Sequence, residues 1–374
     1  MKKILHISKY YYPFRGGTEQ IAKDCVNALK NDYEQKVICF NHEKKDYNDY
    51  IDDVEIIRCG CFAKLFSQSL SISYAKKLKQ VIESFKPDII IFHYPNPFVA
   101  SLLLRYISKN SKLVIYWHLD IVKQKLLGKL FSNQNKKLIN KSNKIIATSP
   151  NYIEGSAWLS SAKEKCVVIP NCINEKRLEP TEESNKIAKK IKEDNKGKTI
   201  CVAVGRHTEY KGFEYLIKAS KLLDNKFQIF IIGKGELTDK LKKEAANDEK
   251  VRFLGVVSDD ELKAYYSAMD IYCFPSITKN EAFGLALAEA MYFGKPAVTF
   301  NIKGSGVNYV CLKNVNGIEV ENKNIVEYAN AIKRLANDEK LRDNMGNEGK
   351  NRVISNFLYT QFKDNITKAV MELF

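Results

Sequence analysis

No run of about 18 apolar residues occurs in this 374-residue chain, so no membrane-spanning helix is expected. The nearest approach, residues 88–107, is broken by Asp88, His93, Pro95, Asn96, Pro97 and Arg105. The opening Met1-Lys2-Lys3 imitates the charged end of a signal peptide. The apolar run behind it is cut by Ser8, Lys9 and the tyrosines that follow, so it reads as a first strand. Cys-x-x-Cys is missing although the chain has nine cysteines. An odd count, with Cys39, Cys201 and Cys273 inside apolar runs, fits free buried thiols in a reducing cytoplasm rather than disulfides or zinc. Cys59-Gly-Cys61, the one close pair, takes the same structural reading. Asp-x-Asp is missing, as is any His/Cys cluster with ligand spacing, so chemistry without a metal or cofactor is expected. There is no low-complexity run and no short repeat.

What is abundant is positive charge. Sixty Lys and Arg against 44 Asp and Glu leave +16, of which residues 1–180 carry +12. Residues 101–150 hold ten basic side chains against Asp120 alone. Such a face suits nucleic acid, an anionic bilayer or an acidic substrate. A non-enzymatic nucleic-acid binder would interleave aromatic and basic residues on one surface. Here the tyrosines and phenylalanines fall mostly in strand and helical core positions, so nucleic acid is not an expected partner. Each basic residue near an anionic membrane contributes about 1 kcal/mol, so three or four give roughly millimolar association. That describes a cytoplasmic protein resting on the inner face of the membrane.

Short Val- and Ile-rich runs at 3–8, 36–40, 54–59, 88–92, 113–117, 144–148 and 166–169 lack clean alternation, as strands buried on both faces do. Stretches long enough for helices separate most of them. The pattern pauses in the polar stretch 176–197, which carries Pro180 and reads as a linker. It restarts with strands at 199–204, 227–232, 251–254, 271–274, 297–300 and 317–320, interleaved with helices. The expected fold class is α/β, with two Rossmann-like domains at 1–175 and 198–358 facing across a cleft.

The segment Glu281-Ala-Phe-Gly-Leu-Ala-Leu-Ala-Glu289 sets two carboxylates with seven residues between them, Gly284 among these. Its apolar interior suits the start of a buried helix, whose unpaired N–H groups and dipole favour an anion. A carboxylate before that end and another two turns along it could grip hydroxyls on either side of a phosphate, as a sugar nucleotide offers. A charge on so apolar a helix also needs a partner. Gly205-Arg206-His-Thr-Glu-Tyr-Lys211-Gly212 ends the strand at 199–204, where open α/β sheets hold ligands. Arg206 can fork onto phosphate oxygens and Lys211 adds a point charge. Gly16-Gly17 opens a helix after the first strand and permits close approach of a bulky anion, without the Gly-x-Gly-x-x-Gly dinucleotide pattern. His118, in Trp117-His118-Leu-Asp120, leaves a strand end and could donate to a sugar hydroxyl or a developing charge, with Asp120 to orient it. Gly233-Lys-Gly235 and Gly304-Ser-Gly306 are further strand-end turns, the first bordering the nucleotide.

Together these residues resemble the retaining nucleotide-sugar glycosyltransferases of the GT-B fold, family 4 in the usual classification, over almost the whole chain. Pro13-x-x-Gly16-Gly17-x-Glu19, Ala147-Thr-Ser-Pro150, Ile169-Pro-Asn171 and Lys295-Pro296 carry the resemblance alongside the two motifs in the second half. It implies Gly16 and Gly17 beside the diphosphate and sugar, and Arg206 and Lys211 on the diphosphate. It puts Glu281 and the N–H groups of Phe283, Gly284 and Leu285 at the transferred sugar, Glu289 at the ribose, and His118 near the sugar's C6 hydroxyl. It also sends residues 359–374 back onto the first domain. A narrower likeness, through Trp117–Lys125 and Ala147–Tyr152, is to bacterial surface-polysaccharide enzymes that include mannosyltransferases using GDP-mannose and a lipid-carried saccharide acceptor. A UDP-hexose or UDP-HexNAc donor is the alternative, as is an epimerase or hydrolase on the same fold. The basic 101–150 stretch and Phe62-Ala-Lys-Leu-Phe66…Leu70…Lys79 would supply a membrane-facing surface. Binding to anionic vesicles should weaken with salt and be lost on charge reversal at Lys123, Lys125 and Lys129. Vesicle flotation that leaves this variant bound would refute the membrane reading.

Overall fold

The computed structural model describes every residue except 15, 66–67 and 121–124; the side chains of residues 64, 65, 68 and 125–130 are likewise outside the description. The chain divides into two compact units, Met1–Asn171 with Thr360–Phe374, and Cys172–Tyr359.

The first unit contains strands β1 (Lys2–Ile7), β2 (Tyr33–Phe40), β3 (Tyr47–Ile51), β4 (Val54–Cys59), β5 (Ala63–Leu65), β6 (Gln68–Leu70), β7 (Ile89–Tyr94), β8 (Lys112–Trp117), β9 (Lys144–Ala147) and β10 (Cys166–Val168). Eight of them form one sheet in the order β10-β9-β8-β7-β1-β2-β4-β3. Every pairing is parallel except the antiparallel edge β3–β4. All of β7 is buried, as its Ile-Ile-Ile-Phe run requires of a strand covered on both faces. The edge strand β3, Tyr-Asn-Asp-Tyr-Ile, has no fully buried residue, and its polar sequence gives no strand signal. It nevertheless supplies Asp49, which takes two hydrogen bonds from Arg58, at 2.9 and 3.1 Å. Arg58, buried, also donates to the carbonyls of Tyr11 and Tyr12 in the turn that leads to Gly16.

The second unit contains β11 (Thr199–Val204), β12 (Phe227–Ile232), β13 (Val251–Gly255), β14 (Ile271–Phe274), β15 (Ala297–Phe300) and β16 (Gly317–Val320). They pair in parallel in the order β13-β12-β11-β14-β15-β16. The order reverses between β11 and β14, as it does between β1 and β7 in the first sheet. A crevice opens at the carboxyl ends of strands at such a reversal.

Two sequence expectations change. Residues 176–197 are not a linker: most of them lie in the helices Glu175–Leu178 and Glu182–Asp194 of the second unit. The longer helix begins with a capping box between Thr181 and Ser184 and buries Ser184, Ala188 and Ile191, one narrow stripe under a Lys- and Glu-rich face. The stretch after Phe62 is also not one amphipathic surface. It folds as the β5–β6 hairpin and the helix Ser73–Phe85, which turns Tyr74, Leu78, Val81, Ile82 and Phe85 into the core. Phe62 and Ile72 stay exposed, at 52% and 83%. Phe66 and Lys123 lie outside the described residues, as do the side chains of Lys64, Lys125 and Lys129. No helix among the described residues is long and apolar enough to cross a membrane.

Histidines gather where β1, β7 and β8 end. His6 lies on β1, His93 on β7 and His118 just past β8, and all three are buried. The His6 and His93 rings stack at 6.3 Å, and His93 and His118 at 5.3 Å. Burial lowers His6 from 6.5 to about 4 and His118 to about 3, and holds His93 well below its ordinary value, with His118 and His6 adding to the effect. All three rings are therefore neutral in the folded protein near pH 7. In the unfolded chain they take up protons as pH falls through about 6.5. Folding stability should therefore fall from about pH 6.5 toward pH 4, each ring adding a slope of up to about 1.4 kcal/mol per pH unit. Urea unfolding at stepped pH checks this; constant stability from pH 6.5 to 4.5 would contradict it.

Candidate functional site

In the second unit the site grows from the β11/β14 reversal. After β11 the chain runs through Arg206 and a short 3-10 turn, Glu209–Lys211, into the helix Phe213–Ser220. After β14 it runs through Ser276 and Glu281 to the helix Leu285–Tyr292. Adjacent parallel strands thus deliver Lys211 and Glu281 to one place, with Lys211 Nζ 2.5 Å from Glu281 Oε2. The Ser276 hydroxyl donates to the same oxygen at 3.2 Å. Both ends of the ion pair are nearly enclosed, with 13% and 11% of their side chains exposed. Burial pulls the Lys211 pKa down, but Glu281 and Tyr210 outweigh it and the net shift is upward, so Lys211 stays charged. Arg206 is exposed, makes no ion pair with a described residue, and lies close enough for its charge to oppose that of Lys211. The Ser305 hydroxyl, in the Gly304-Ser-Gly306 turn, donates to the Glu281 carbonyl and fixes the backbone there.

Gly284 caps the helix Leu285–Tyr292 with φ 92° and ψ 66°, in the left-handed region that favours glycine. No side chain caps this end; the Leu287 N–H donates to the Gly284 carbonyl at 3.0 Å, and those of Leu285 and Ala286 have no intrahelical partner. Phe283 is buried beneath it, against Phe357. Gly233 sits at the tip of β12 beside the Gly205 carbonyl. One turn along the helix, Glu289 forms an ion pair with Arg177 and accepts a hydrogen bond from Tyr266 Oη at 3.1 Å. Arg177 also donates to Asp259 at 3.2 Å. Burial raises the Glu289 pKa against the pull of Arg177 and Tyr266. Arg177 comes from the stretch read as linker. Its signal was Asn174, whose side chain caps the short helix by accepting from the Arg177 N–H at 3.1 Å.

In the first unit, Gly16 precedes the helix Gly17–Leu29. A Cβ at Gly16 would meet the end of the buried Glu19 side chain, which folds back over this turn and would have to shift. Gly17 is exposed at the helix start. His118 stands where expected, at the end of β8, but Asp120 does not orient it. Asp120 Oδ1 instead accepts from Trp117 Nε1 at 2.9 Å and from the Ser156 hydroxyl at 2.8 Å. The partner of the His118 ring is His93, with Nδ1 of His93 3.0 Å from Nε2 of His118. Sequence reading missed His93 and Tyr266, because each works through a neighbour distant in the chain, and Ser276, whose hydroxyl turns back to Glu281 five residues on. Among the described residues no group of three or more His, Cys, Asp or Glu side chains is placed to hold a metal ion.

Comparison with known proteins bears on the family and the fold. Residues 15–177 match the model of Glycosyltransferase Family 4, and residues 184–352 that of Glycosyl transferases group 1. The chain is 27% identical over 354 residues to the O-antigen chain mannosyltransferase C of Escherichia coli, covering 94% of this chain and 93% of that one. It is 28% identical to the D-rhamnosyltransferase WbpZ of Pseudomonas aeruginosa over 77% of this chain and 74% of that one. Among solved structures, sucrose-phosphate synthase of Thermosynechococcus elongatus superposes with a TM-score of 0.83 at 19% identity, covering 100% and 99% of the two chains. Anabaena HepE in complex with UDP and glucose gives 0.79 at 16% identity, covering 99% and 100%. Two parallel Rossmann-like sheets, GT-B neighbours and family models that span both halves establish that the chain belongs to the GT-B glycosyltransferases of the family 4 type.

Proposed function

We propose that this enzyme transfers a hexosyl group, mannose from GDP-mannose, to a lipid-linked saccharide in the synthesis of bacterial surface polysaccharide, O-antigen or capsule, and that it retains anomeric configuration without a metal. The likeness to the E. coli mannosyltransferase along nearly the whole chain supports the sugar and the process. The observation that carries the reading is the pair of braced carboxylates, Glu281 on Lys211 and Ser276, and Glu289 on Arg177 and Tyr266, on either side of an uncapped helix start.

In this reading the bond between the anomeric carbon and the diphosphate oxygen breaks while the acceptor oxygen bonds to that carbon on the same face. The acceptor's proton passes to the departing phosphate oxygen. The protein contributes position and charge, with no covalent nucleophile. Lys211 and Arg206 offset the charge that grows on the diphosphate, each with about 4 kcal/mol at 4 Å and an effective dielectric near 20. Glu281 and the N–H groups from Phe283 to Leu285 take the transferred sugar, and Glu289 takes the ribose. Gly233 borders the nucleotide. From the first domain, Gly16 and Gly17 serve the diphosphate and His118 the sugar. The lipid-linked acceptor and the basic 101–150 stretch fit work at an anionic membrane surface.

A panel of GDP-mannose, UDP-hexoses and UDP-HexNAc with membrane lipid extract, read by nucleotide release in EDTA, should single out GDP-mannose. Preference for a UDP-sugar, or free sugar or an epimer without acceptor, would overturn the assignment. Glu281→Ala should lower transfer by about 100-fold or more. Glu289→Ala should weaken donor binding about 10-fold or more, as expected for lost hydrogen bonds to a charged group. Circular dichroism should show both variants folded, and full activity in Glu281→Ala would refute the site.

A further inference from the structure

We propose that His93 is a positioning residue that fixes the His118 ring as the tautomer protonated on Nδ1, so that His118 acts as a hydrogen-bond donor. The inference deepens the proposed function, because the group that would receive the Nδ1 proton in that reading is a hydroxyl of the transferred sugar.

Three observations meet here. The first is the contact, with His93 Nδ1 and His118 Nε2 3.0 Å apart and the rings 12° from parallel. The Tyr116 ring stacks on both, at 5.5 Å and 14° on His93 and 4.5 Å and 13° on His118, so neither imidazole can turn away cheaply. The second is the far nitrogen of His93. Its Nε2 is buried and has no hydrogen-bond partner among the protein groups around it. The third is burial, which keeps both rings neutral, so each carries one ring proton.

Only two arrangements satisfy the contact. If His118 donated from Nε2, His93 would accept at Nδ1 and carry its own proton on Nε2, a buried N–H with no partner. If His93 donates from Nδ1, its Nε2 is a bare lone pair and His118 carries its proton on Nδ1. Orphaned N–H groups are rarer in native structures than under-satisfied acceptors, because a buried donor without a partner loses its full hydration. The neighbouring His6 shows the same preference independently. Gln35 gives its amide N–H to the Val26 carbonyl at 2.9 Å, which turns its oxygen to His6 Nε2 at 2.7 Å. His6 must therefore donate from Nε2, and its buried, unpartnered nitrogen is the bare Nδ1. In both rings the buried nitrogen without a protein partner holds a lone pair.

Long-range ¹H–¹⁵N correlation of the histidine rings at pH 7, with His118 assigned through His118→Gln, reads the tautomer directly. In the wild type we expect His118 protonated on Nδ1. His93→Phe keeps an aromatic ring in the stack and removes the donor. Its His118 should move to the Nε2-protonated form, with kcat down about 10-fold and little change in donor KM. His93→Asn returns an N–H near the Nδ1 position and should restore the Nδ1 tautomer and most of the rate. A wild-type His118 protonated on Nε2 overturns the proposal, as does a His93→Phe protein whose His118 tautomer is unchanged. The spectrum is taken without substrate. A wild type with the expected tautomer that turns over no donor in the panel therefore supports the role of His93 and refutes the proposed function.

Discussion

A carboxylate in an apolar wall stays charged only if a cation or a set of donors stays with it. The second domain meets that demand twice along one segment. Glu281 is held by Lys211 and Ser276, and Glu289 by Arg177 and Tyr266. Removing Lys211 from the nearly enclosed Glu281 pair would cost about 3–5 kcal/mol, and removing the more exposed Arg177 less, whereas the intact pairs contribute little net stability. Its value is positional. Two carboxylates with fixed orientation are set one before and one on a helix whose start has no side-chain cap.

That arrangement follows from chain topology. The partners of Glu281 and Glu289 are not their neighbours in sequence. Lys211 comes from the turn after β11, while Arg177 comes from a short helix ahead of the whole second sheet. The reversal of strand order between β11 and β14 puts the Lys211 turn beside the Glu281 turn. Glycine finishes the work where the Gly284 backbone enters the left-handed region. The first domain offers the opposite chemistry. Its strand ends carry neutral histidines and the Gly16-Gly17 turn, while the braced carboxylates lie in the second domain.

Much of this could be read from the sequence, for a physical reason. Strands buried on both faces announce themselves as dense apolar runs, so β4, β11, β12, β14, β15 and β16 fall where those runs predict them. Glu281, Lys211 and Arg206 are marked by glycine turns at strand ends. The edge strand β3 escaped because an exposed edge needs no apolar pattern, and the helix Glu182–Asp194 escaped because only three of its side chains are buried. Arg177 and His93 escaped for a different reason. Their importance lies in what they touch, Glu289 at 112 residues' remove and His118 at 25, and single-sequence reasoning sees spacing along the chain, not proximity across it.

The central claim is that Glu289 holds the ribose end of a nucleotide whose diphosphate lies toward Lys211. Calorimetric titration of the nucleoside diphosphate of the preferred donor, and of its 2′,3′-dideoxy analogue, tests it against wild type and Glu289→Gln. The account predicts that loss of the ribose hydroxyls weakens binding to the wild type about 10-fold and leaves binding to Glu289→Gln nearly unchanged, the coupling of two groups in contact. An equal loss in both proteins would contradict it.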